Sequence, residues 1–294
     1  MKLAAIDIGS NAARLLISEA TEVENNIVFN KINLIRVPLR LGFDVFDTGT
    51  ISKKKMGLLL QTMKAFAHLL NVYAVEHIKV CATSAMRDAK NSNDIIRKTF
   101  LETGLNIEII TGDDEASIIF ENHIAEHLNK DHSYLYIDVG GGSTELTFFA
   151  EGILKYKESF NIGTIRLLKN QVQKKEWDLL KEHLKSNIKK SLPISAIGSG
   201  GNINKLFTLS KKKEGKPISL GELKEFEKLF SSLTLQERMQ QFKLREDRAD
   251  VIVPALDIYI NVMKWAKIQE IYVPKIGLAD GLIQNLYQTV ISKK

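Results

Sequence analysis

Two segments of the sequence place an aspartate at the end of an apolar run and follow it with a glycine-rich turn. The first contains Asp7 and Gly9–Asn11, and the second contains Asp138 and Gly140–Thr144. Backbone N–H groups in such a turn can approach an anion closely because glycine has no side chain, and these concave nests bind phosphate oxygens. Each aspartate stands where a divalent cation bridging the phosphates would need an oxygen ligand. The aspartates lie 131 residues apart, so we predict two similar halves that close on one polyanionic ligand.

Arg14 and Glu145 fall at the same position when the two segments are aligned by their aspartates. Arginine presents a planar fork of N–H donors that suits a phosphate group. A glutamate at the matching place can hold a divalent cation or the water around it. Either side chain can instead be an outward-facing polar residue of its strand, so the sequence leaves both interpretations open.

A short acidic run opens a predicted helix after the apolar segment 107–110. It reads Asp113-Asp114-Glu115, and acids in the first turn stabilise a helix through its dipole alone. Hydrolysis of a phosphoanhydride also needs a carboxylate that orients a water molecule and removes its proton. A glutamate one turn into such a helix can do this, so a structural role and a catalytic role both remain open for Glu115.

Two more segments offer anion contacts at the ends of predicted strands. Ser84 and Arg87 follow the strand predicted near 77–83, and a hydroxyl together with a guanidinium suits a phosphate. The glycine turn 198–201 stands between a strand and a helix, which places the positive end of the helix beside it. This turn is a weak signal alone and gains its value as the third glycine turn of the chain.

The composition is typical of a soluble globular protein. Of 294 residues, 44 % are apolar and 26 % are charged. The start of the sequence does not resemble a signal peptide, and no apolar run approaches the roughly 20 residues of a membrane span. The single cysteine, Cys81, fits a buried apolar strand and a reducing compartment. We therefore expect a cytoplasmic protein without disulfides.

Basic residues outnumber acidic ones by 41 to 35, which gives a formal net charge of +6. The excess favours anionic partners. No helix-turn-helix, zinc-finger or aromatic RNA-binding pattern accompanies it, so we expect no specific nucleic acid partner. The lysine clusters are either solvated faces or a rim that attracts a long polyanion; they lie at 53–55, 211–213 and 293–294.

One competing motif, from His123 to His127, matches the HxxEH pattern of some zinc peptidases. Two histidines four residues apart share one face of a helix. No clear third ligand follows, so we favour a polar helix surface over a zinc site.

The pattern of apolar runs predicts three strands followed by alternating helices and strands, and it does so twice. Two α/β domains with a cleft of nucleotide or phosphate size between them are the expected architecture. We place the N-terminal domain at 1–124, joined by the C-terminal helix 279–294, and the C-terminal domain at 125–278. The predicted strands cover 2–8, 12–18, 27–37, 77–83, 106–110, 133–138, 143–149, 152–160, 194–197 and 270–273.

With these motifs the sequence resembles the exopolyphosphatase / guanosine pentaphosphate phosphohydrolase (Ppx/GppA) family. The resemblance covers most of the chain, and its DxGGGSTEL and ATSAxRxAxN motifs form a highly specific pair that kinases of the same superfamily lack. It implies an α/β fold with two actin-like (ribonuclease H-like) domains and an interdomain cleft. The matching segments are 5–11, 82–91, 109–116, 137–146, 163–167, 197–201 and 248–255.

The resemblance also implies roles for individual residues. Glu115 is implied to be the general base, and Asp138 and Glu145 are implied to be catalytic carboxylates. Mg²⁺ or another divalent cation is implied at Asp138 and Glu145, with Asp7 as a further ligand. The implied phosphate-binding residues are Gly9, Ser10, Asn11, Arg14, Ser84, Arg87, Gly140, Gly141, Gly142, Ser143, Thr144, Gly198, Gly200 and Arg248.

Several positions depart from the pattern of the family. Ala12-Ala13-Arg14 stands where many members have a serine, an aromatic residue and a histidine, and Asp113-Asp114 stands where glutamate is common. Asn202 replaces the usual threonine after the third glycine turn. The chain ends at Lys294 and looks like the short two-domain form, for which we expect lower processivity on long polyphosphate.

The implied activity is that of a cytoplasmic acid-anhydride hydrolase connected with the stringent response. It would release the terminal phosphate of inorganic polyphosphate or of guanosine pentaphosphate (pppGpp), through Mg²⁺-assisted attack of water activated by Glu115. Two alternatives remain: a non-catalytic sensor that binds (p)ppGpp, and an ATP-dependent kinase or ATPase of the same fold. The sequence decides neither the substrate nor the oligomeric state, although a homodimer is compatible with it.

Overall fold

The computed structural model describes residues 1–24, 26–121, 131–188, 192–274 and 277–292. The chain divides into two units. The first comprises Met1–His123 and Gly277–Lys294, and the second comprises Ile124–Ile276. The C-terminal helix therefore belongs to the first unit.

The first unit is built on a five-stranded sheet with the order β3-β2-β1-β4-β5. The strands are β1 (Lys2–Ile8), β2 (Ala13–Val23), β3 (Asn26–Val37), β4 (His77–Ala82) and β5 (Glu108–Ile109). The helices are α1 (Gly42–Thr48), α2 (Lys53–Val72), α3 (Ser84–Asp88), α4 (Ser92–Thr103), α5 (Gly112–Glu121) and, at the end of the chain, α13 (Leu278–Ile291).

The second unit has a six-stranded sheet with the order β10-β11-β9-β6-β7-β8. Its strands are β6 (Ser133–Val139), β7 (Thr144–Ala150), β8 (Ile153–Phe160), β9 (Ile194–Ser199), β10 (Ile218–Ser219) and β11 (Glu270–Tyr272). Its helices are α6 (Thr164–Leu168), α7 (Lys174–Asn187), α8 (Gly201–Ser210), α9 (Leu220–Ser231), α10 (Leu235–Phe242), α11 (Glu246–Ala249) and α12 (Ile252–Ala266).

The two sheets repeat one topology. In each, the first strand pairs antiparallel with the second and parallel with the fourth, as β1 does with β2 and β4, and as β6 does with β7 and β9. Strand β10 is an addition at the edge of the second sheet. The duplication predicted from the two glycine-rich segments is therefore present in the order and direction of the strands.

The central strands are apolar because both faces of their sheets are covered. In β1, every residue from Leu3 to Ile8 is buried. Helix α12 packs into the core of the second unit, and its Tyr259 is fully buried. Ser52 is the N-cap of helix α2, and its hydroxyl accepts the Lys55 N–H at 3.3 Å.

Several elements differ from the predicted ones in length. Strand β5 has only two residues instead of the predicted 106–110, and β2 extends to Val23 instead of ending near 18. Helices α1 and α3, with seven and five residues, are too short for an apolar period to reveal. Within the described ranges, no helix is both long enough and apolar enough to span a lipid bilayer.

Candidate active site

The two glycine turns close with the same hydrogen bond. In the first unit the N–H of Gly9 donates to the Ala12 carbonyl at 3.0 Å, and in the second the N–H of Gly140 donates to the Ser143 carbonyl at 2.9 Å. A Cβ on Gly9 would lie 3.3 Å from the Ala12 carbonyl oxygen, and a Cβ on Gly140 would lie 3.1 Å from the Ser143 carbonyl oxygen. The close approach of the backbone explains glycine at both positions.

In the first hairpin, Asp7 faces Arg14 across the strand pair β1–β2. The guanidinium Nη1 lies 2.7 Å from Oδ2 of Asp7, whose side chain is almost fully buried, while a third of the Arg14 side chain is exposed. The carboxylate is thus neutralised inside the protein.

The first glycine turn is held by residues that are distant in sequence. The hydroxyl groups of Ser10 and Ser84 lie 2.7 Å apart and are buried, which ties the turn to the start of α3. The N–H groups of Arg40 and Gly42 donate to the carbonyls of Asn11 and Ser10 at 2.8 and 2.9 Å. Sequence reasoning missed the contribution of Arg40 and Gly42, because no motif connects them to the turn.

Arg87 fixes the start of the acidic motif. Its Nη1 donates to the Ile110 carbonyl at 3.0 Å. The next residue, Thr111, exchanges hydrogen bonds with Asp114: Oδ2 accepts the Thr111 hydroxyl at 2.6 Å, and the Asp114 N–H donates to that hydroxyl at 3.0 Å. Asp114 therefore serves as the capping acid of α5, and Glu115, which is half-buried, is the better candidate for chemistry.

In the second hairpin, Asp138 faces Glu145 across the strand pair β6–β7. Carboxylate oxygens of the two residues lie within 4.8 Å of each other. Glu145 is only 2 % exposed, and its Oε1 accepts the Ser159 hydroxyl at 2.9 Å. Like charges directly opposite each other destabilise a strand pair, so this pair suits a hard divalent cation such as Mg²⁺, which prefers oxygen ligands.

The carbonyls of the second glycine turn are bonded to the beginning of α6. The N–H groups of Thr164 and Ile165 donate to the carbonyls of Gly140 and Gly141 at 3.0 and 2.8 Å. These bonds satisfy the N–H groups that a helix start leaves unpaired. They also fix the orientation of the turn.

Gly163 and Arg166 complete this attachment. A Cβ on Gly163 would lie only 2.4 Å from the carbonyl carbon of Gly142, so no other residue fits without moving the turn. The Nε of Arg166 donates to the Gly142 carbonyl at 2.8 Å. Gly163 and Arg166 lie in the segment 163–167, which matches the family pattern, but sequence reasoning gave them no role.

The third glycine turn contains Gly200, the N-cap of α8, which has a φ of +107° and no capping side chain. Arg248 covers the turn: a Cβ on Gly201 would lie 2.7 Å from Nη1 of Arg248. The same Nη1 donates to Oδ1 of Asn202 at 3.3 Å. Asn202, which replaces the threonine usual in the family pattern, therefore orients the arginine.

Ser199 and Gly198 are held by packing. The hydroxyl of Tyr259 donates to the Ser199 carbonyl at 2.5 Å. Burial raises the pKa of Tyr259 well above its ordinary value, and the charge of Asp138 adds to this effect, so the phenol stays a donor. A Cβ on Gly198 would lie 2.8 Å from the side chain of Ile271, which gives this glycine a packing reason in addition to its predicted phosphate-binding role.

The predicted site residues fall into two groups, one in each unit. Most of them lie near strand ends, in the glycine turns or near helix starts. The first unit holds Asp7, Gly9, Ser10, Asn11, Arg14, Ser84, Arg87 and Glu115; the second holds Asp138, Gly140, Gly141, Gly142, Ser143, Thr144, Glu145, Gly198, Gly200 and Arg248. The HxxEH motif at 123–127 and the lysines at 293–294 lie outside the described residues.

A sequence model of the Ppx/GppA phosphatase family matches residues 16–289. A bifunctional 3-dehydroquinate synthase/phosphatase of Fusobacterium nucleatum is 32 % identical over 89 % of this chain, which spans 43 % of that relative. Exopolyphosphatase 1 of Mycobacterium tuberculosis is 22 % identical, with 96 % of this chain and 87 % of the relative covered. A guanosine-5'-triphosphate,3'-diphosphate pyrophosphatase of Vibrio vulnificus is 25 % identical over 96 % of this chain, which spans 59 % of it.

Solved structures show the same fold. The Ppx/GppA family member of Aquifex aeolicus superposes with a TM-score of 0.76 at 25 % identity, covering 100 % of this chain and 99 % of that one. An exopolyphosphatase of Cytophaga hutchinsonii gives a TM-score of 0.82 at 24 % identity, with 98 % of both chains covered. The repeated sheet topology and the paired aspartate–glycine turns define a protein of the actin-like ATPase fold.

Within that class, this chain belongs to the Ppx/GppA phosphatase family. The family and the fold predicted from the sequence are both confirmed.

Proposed function

We propose that this protein hydrolyses a terminal phosphoanhydride bond, releasing phosphate from inorganic polyphosphate or from pppGpp. The pair Asp138–Glu145 is the observation that carries the proposal. It places two carboxylates opposite each other and largely out of water, which favours a cation and, with it, a phosphate ligand. The names of the relatives, an exopolyphosphatase and a guanosine pentaphosphate pyrophosphatase, support the two substrates.

The glycine turns would bind the phosphate oxygens. The N–H groups of Gly9 and Gly140 close the turns, so the N–H groups that follow them would be the donors; in the second turn the carbonyls of Gly140 and Gly141 are bonded to α6. Arg14 and Arg248 would balance phosphate charge next to the turns. These groups hold and orient the phosphate chain, which is most of what catalysis of phosphoryl transfer requires.

Asp138 and Glu145 would hold Mg²⁺, with Asp7 a weaker candidate because Arg14 already neutralises it. When bound, Mg²⁺ neutralises the negative charge that develops on the phosphate oxygens.

Glu115 would orient the attacking water and accept its proton. Glu115→Gln keeps the size of the side chain and removes the base, so we expect the rate of phosphate release to fall about 10²–10⁴-fold. Asp113→Asn is the matched control because it removes an exposed carboxylate from the same turn of α5, and it should keep the rate within about threefold. Release by Glu115→Gln at the wild-type rate would reject the role.

Phosphate release from polyphosphate and from pppGpp, each with Mg²⁺ and with EDTA, identifies the substrate. A (p)ppGpp sensor would bind the nucleotide and release nothing, whereas a kinase or ATPase would turn over ATP and leave polyphosphate intact. Mg²⁺-dependent release from either proposed substrate would exclude both alternatives. Absence of release from both would reject the proposed function.

A further inference from the structure

A basic cavity lies in the second unit, outside the groups of residues described above. It has a volume of about 330 Å³, and half of the residues that line it are lysines. The lining residues are Lys212, Lys213, Lys216, Pro217, Ser219 and Glu270. They come from the segment between α8 and β10, from β10 and from β11.

Two of these lysines bracket a tight turn. The N–H of Lys216 donates to the Lys213 carbonyl at 3.1 Å. The first and last Cα atoms of such a turn lie within about 7 Å of each other, so both ammonium groups can reach one ligand. Both side chains are exposed, and neither forms an ion pair with another residue of the described chain.

Lys212 anchors the turn to α9. Its Nζ lies 2.9 Å from Oε2 of Glu222, and the same oxygen accepts the Ser219 N–H at 2.8 Å in the capping box of α9. Burial alone would raise the pKa of Glu222, but the hydrogen bonds from Lys212 and Ser219 hold it below its ordinary value. The charge of Lys212 is therefore matched, and the turn has a fixed base.

The remaining charges of the cavity favour an anion. Glu270 is the one carboxylate among the lining residues, so Lys213 and Lys216 leave a positive excess. Lysine binds phosphate as a point charge and needs no exact geometry. Two ammonium groups from one turn suit a ligand that repeats its negative charge along its length.

The distance from the lysine cavity to the third glycine turn determines how long a ligand must be to contact both. Helix α8 begins at Gly201, in that turn, and ends at Ser210, directly before the lysines. Ten helical residues span about 15 Å. A triphosphate bound at the glycine turn is too short to reach the lysines, whereas a long polyphosphate chain can occupy both places.

We propose that the lysine cavity is a second, non-catalytic binding site for linear polyphosphate. The site would hold a distal part of a chain whose end lies at the glycine turns. For the contact at the glycine turns, this inference rests on the proposed function. Two linked contacts raise the affinity for a long chain without altering the chemistry at its end. The site thereby makes long polyphosphate a better substrate than a short one.

The double variant Lys213→Gln/Lys216→Gln tests this site. We expect its KM for long-chain polyphosphate to rise about tenfold, because the second contact is lost, while kcat and the KM for tripolyphosphate stay unchanged. The control Lys174→Gln/Lys175→Gln removes two exposed lysines of α7 in the same unit and should change neither KM. Equal effects of the two double variants, or equal effects on both substrates, would overturn the proposal.

Direct binding separates this proposal from the proposed function. Long-chain polyphosphate and tripolyphosphate are titrated by calorimetry, in EDTA, into the wild-type protein and both double variants. A wild-type protein that releases no phosphate would reject the proposed function, yet lysine-dependent binding of the long chain would still support the site. If Lys213→Gln/Lys216→Gln binds the long chain as tightly as the wild type does, the second site is rejected, whatever the activity.

Discussion

The two hairpins share a backbone and differ in how they balance charge. Their turns close with hydrogen bonds of 3.0 and 2.9 Å at equivalent glycines, and the next-to-last residue of each first strand is a buried or half-buried aspartate. Arg14 faces Asp7 in the first hairpin, whereas Glu145 faces Asp138 in the second. The first hairpin therefore contains its own cation, whereas the second places two carboxylates together, where we propose that a divalent cation binds. The backbone of the hairpin is thus repeated in the two units, while the residue that faces the aspartate changes from a cation to an anion.

We expect the largest loss of stability from a substitution that disrupts the attachment of the second glycine turn to α6. In Gly163→Ala the new Cβ would lie 2.4 Å from backbone of Gly142, so we expect the free energy of unfolding to fall by about 3 kcal/mol and phosphate release to fall with it. Gly57→Ala is the control, because nothing lies within 4 Å of its Cβ; this helical substitution should stabilise by about 0.5–1 kcal/mol. Urea denaturation measures both, and equal stability of the two variants would refute the attachment.

Matched substitutions in the two hairpins should change stability in opposite directions. Arg14→Gln leaves the buried Asp7 carboxylate without its ion pair, and we expect a loss of about 1–3 kcal/mol, limited by the partial exposure of Arg14. Glu145→Gln removes repulsion from Asp138 and keeps an acceptor for Ser159, so in EDTA we expect no loss or a gain of up to about 1 kcal/mol. Thermal unfolding of both variants checks this, and a similar loss in both would remove the distinction between the hairpins.

The two hairpins also differ in the parallel strand next to them, β4 in the first unit and β9 in the second. We expect the smallest effect from a substitution there. These strands place Cys81 beside Asp7 and Ser199 beside Asp138. Burial raises the pKa of the Cys81 thiol from 9.0 to about 12, so the thiol remains protonated in the folded protein. The stability that this provides is complete below pH 9 and is lost as the pH rises towards 12.

Alkylation of Cys81 at pH 9 should accordingly be slow in the native protein and fast in denaturant, since the thiolate is the reactive form. Cys81→Ser should alter phosphate release by less than about twofold, because a core residue of similar size is exchanged. Rapid native alkylation would show that the thiol is more accessible than its complete burial indicates.

Much of the fold could be predicted because the central strands are continuous apolar runs. Strand β1 has the predicted bounds, and β4 and β6 differ from prediction by one residue. Helix α3 and strand β5 could not be predicted accurately, since five and two residues are too few for any period. Their limits are set by contacts with the sheet.

The sequence was enough to propose the candidate site residues, but it did not reveal the contacts that hold them in place. The glycines that follow Asp7 and Asp138 predicted both turns. Aligning the two segments by these aspartates put Arg14 and Glu145 at matching positions. The bonds from Arg40 to Asn11 and from Arg166 to the second turn join residues 24 or more apart. Such contacts depend on how the chain folds back, which local patterns do not contain.

Binding of Mg²⁺ tests the difference between the hairpins most directly. Isothermal calorimetry compares the wild-type protein with Glu145→Gln and Arg14→Gln. We predict that wild type and Arg14→Gln bind the ion with similar affinity and that Glu145→Gln binds it at least about tenfold more weakly, because one of two facing carboxylates is gone. Equal Mg²⁺ affinity in wild type and Glu145→Gln would contradict the assignment of the cation to the second hairpin.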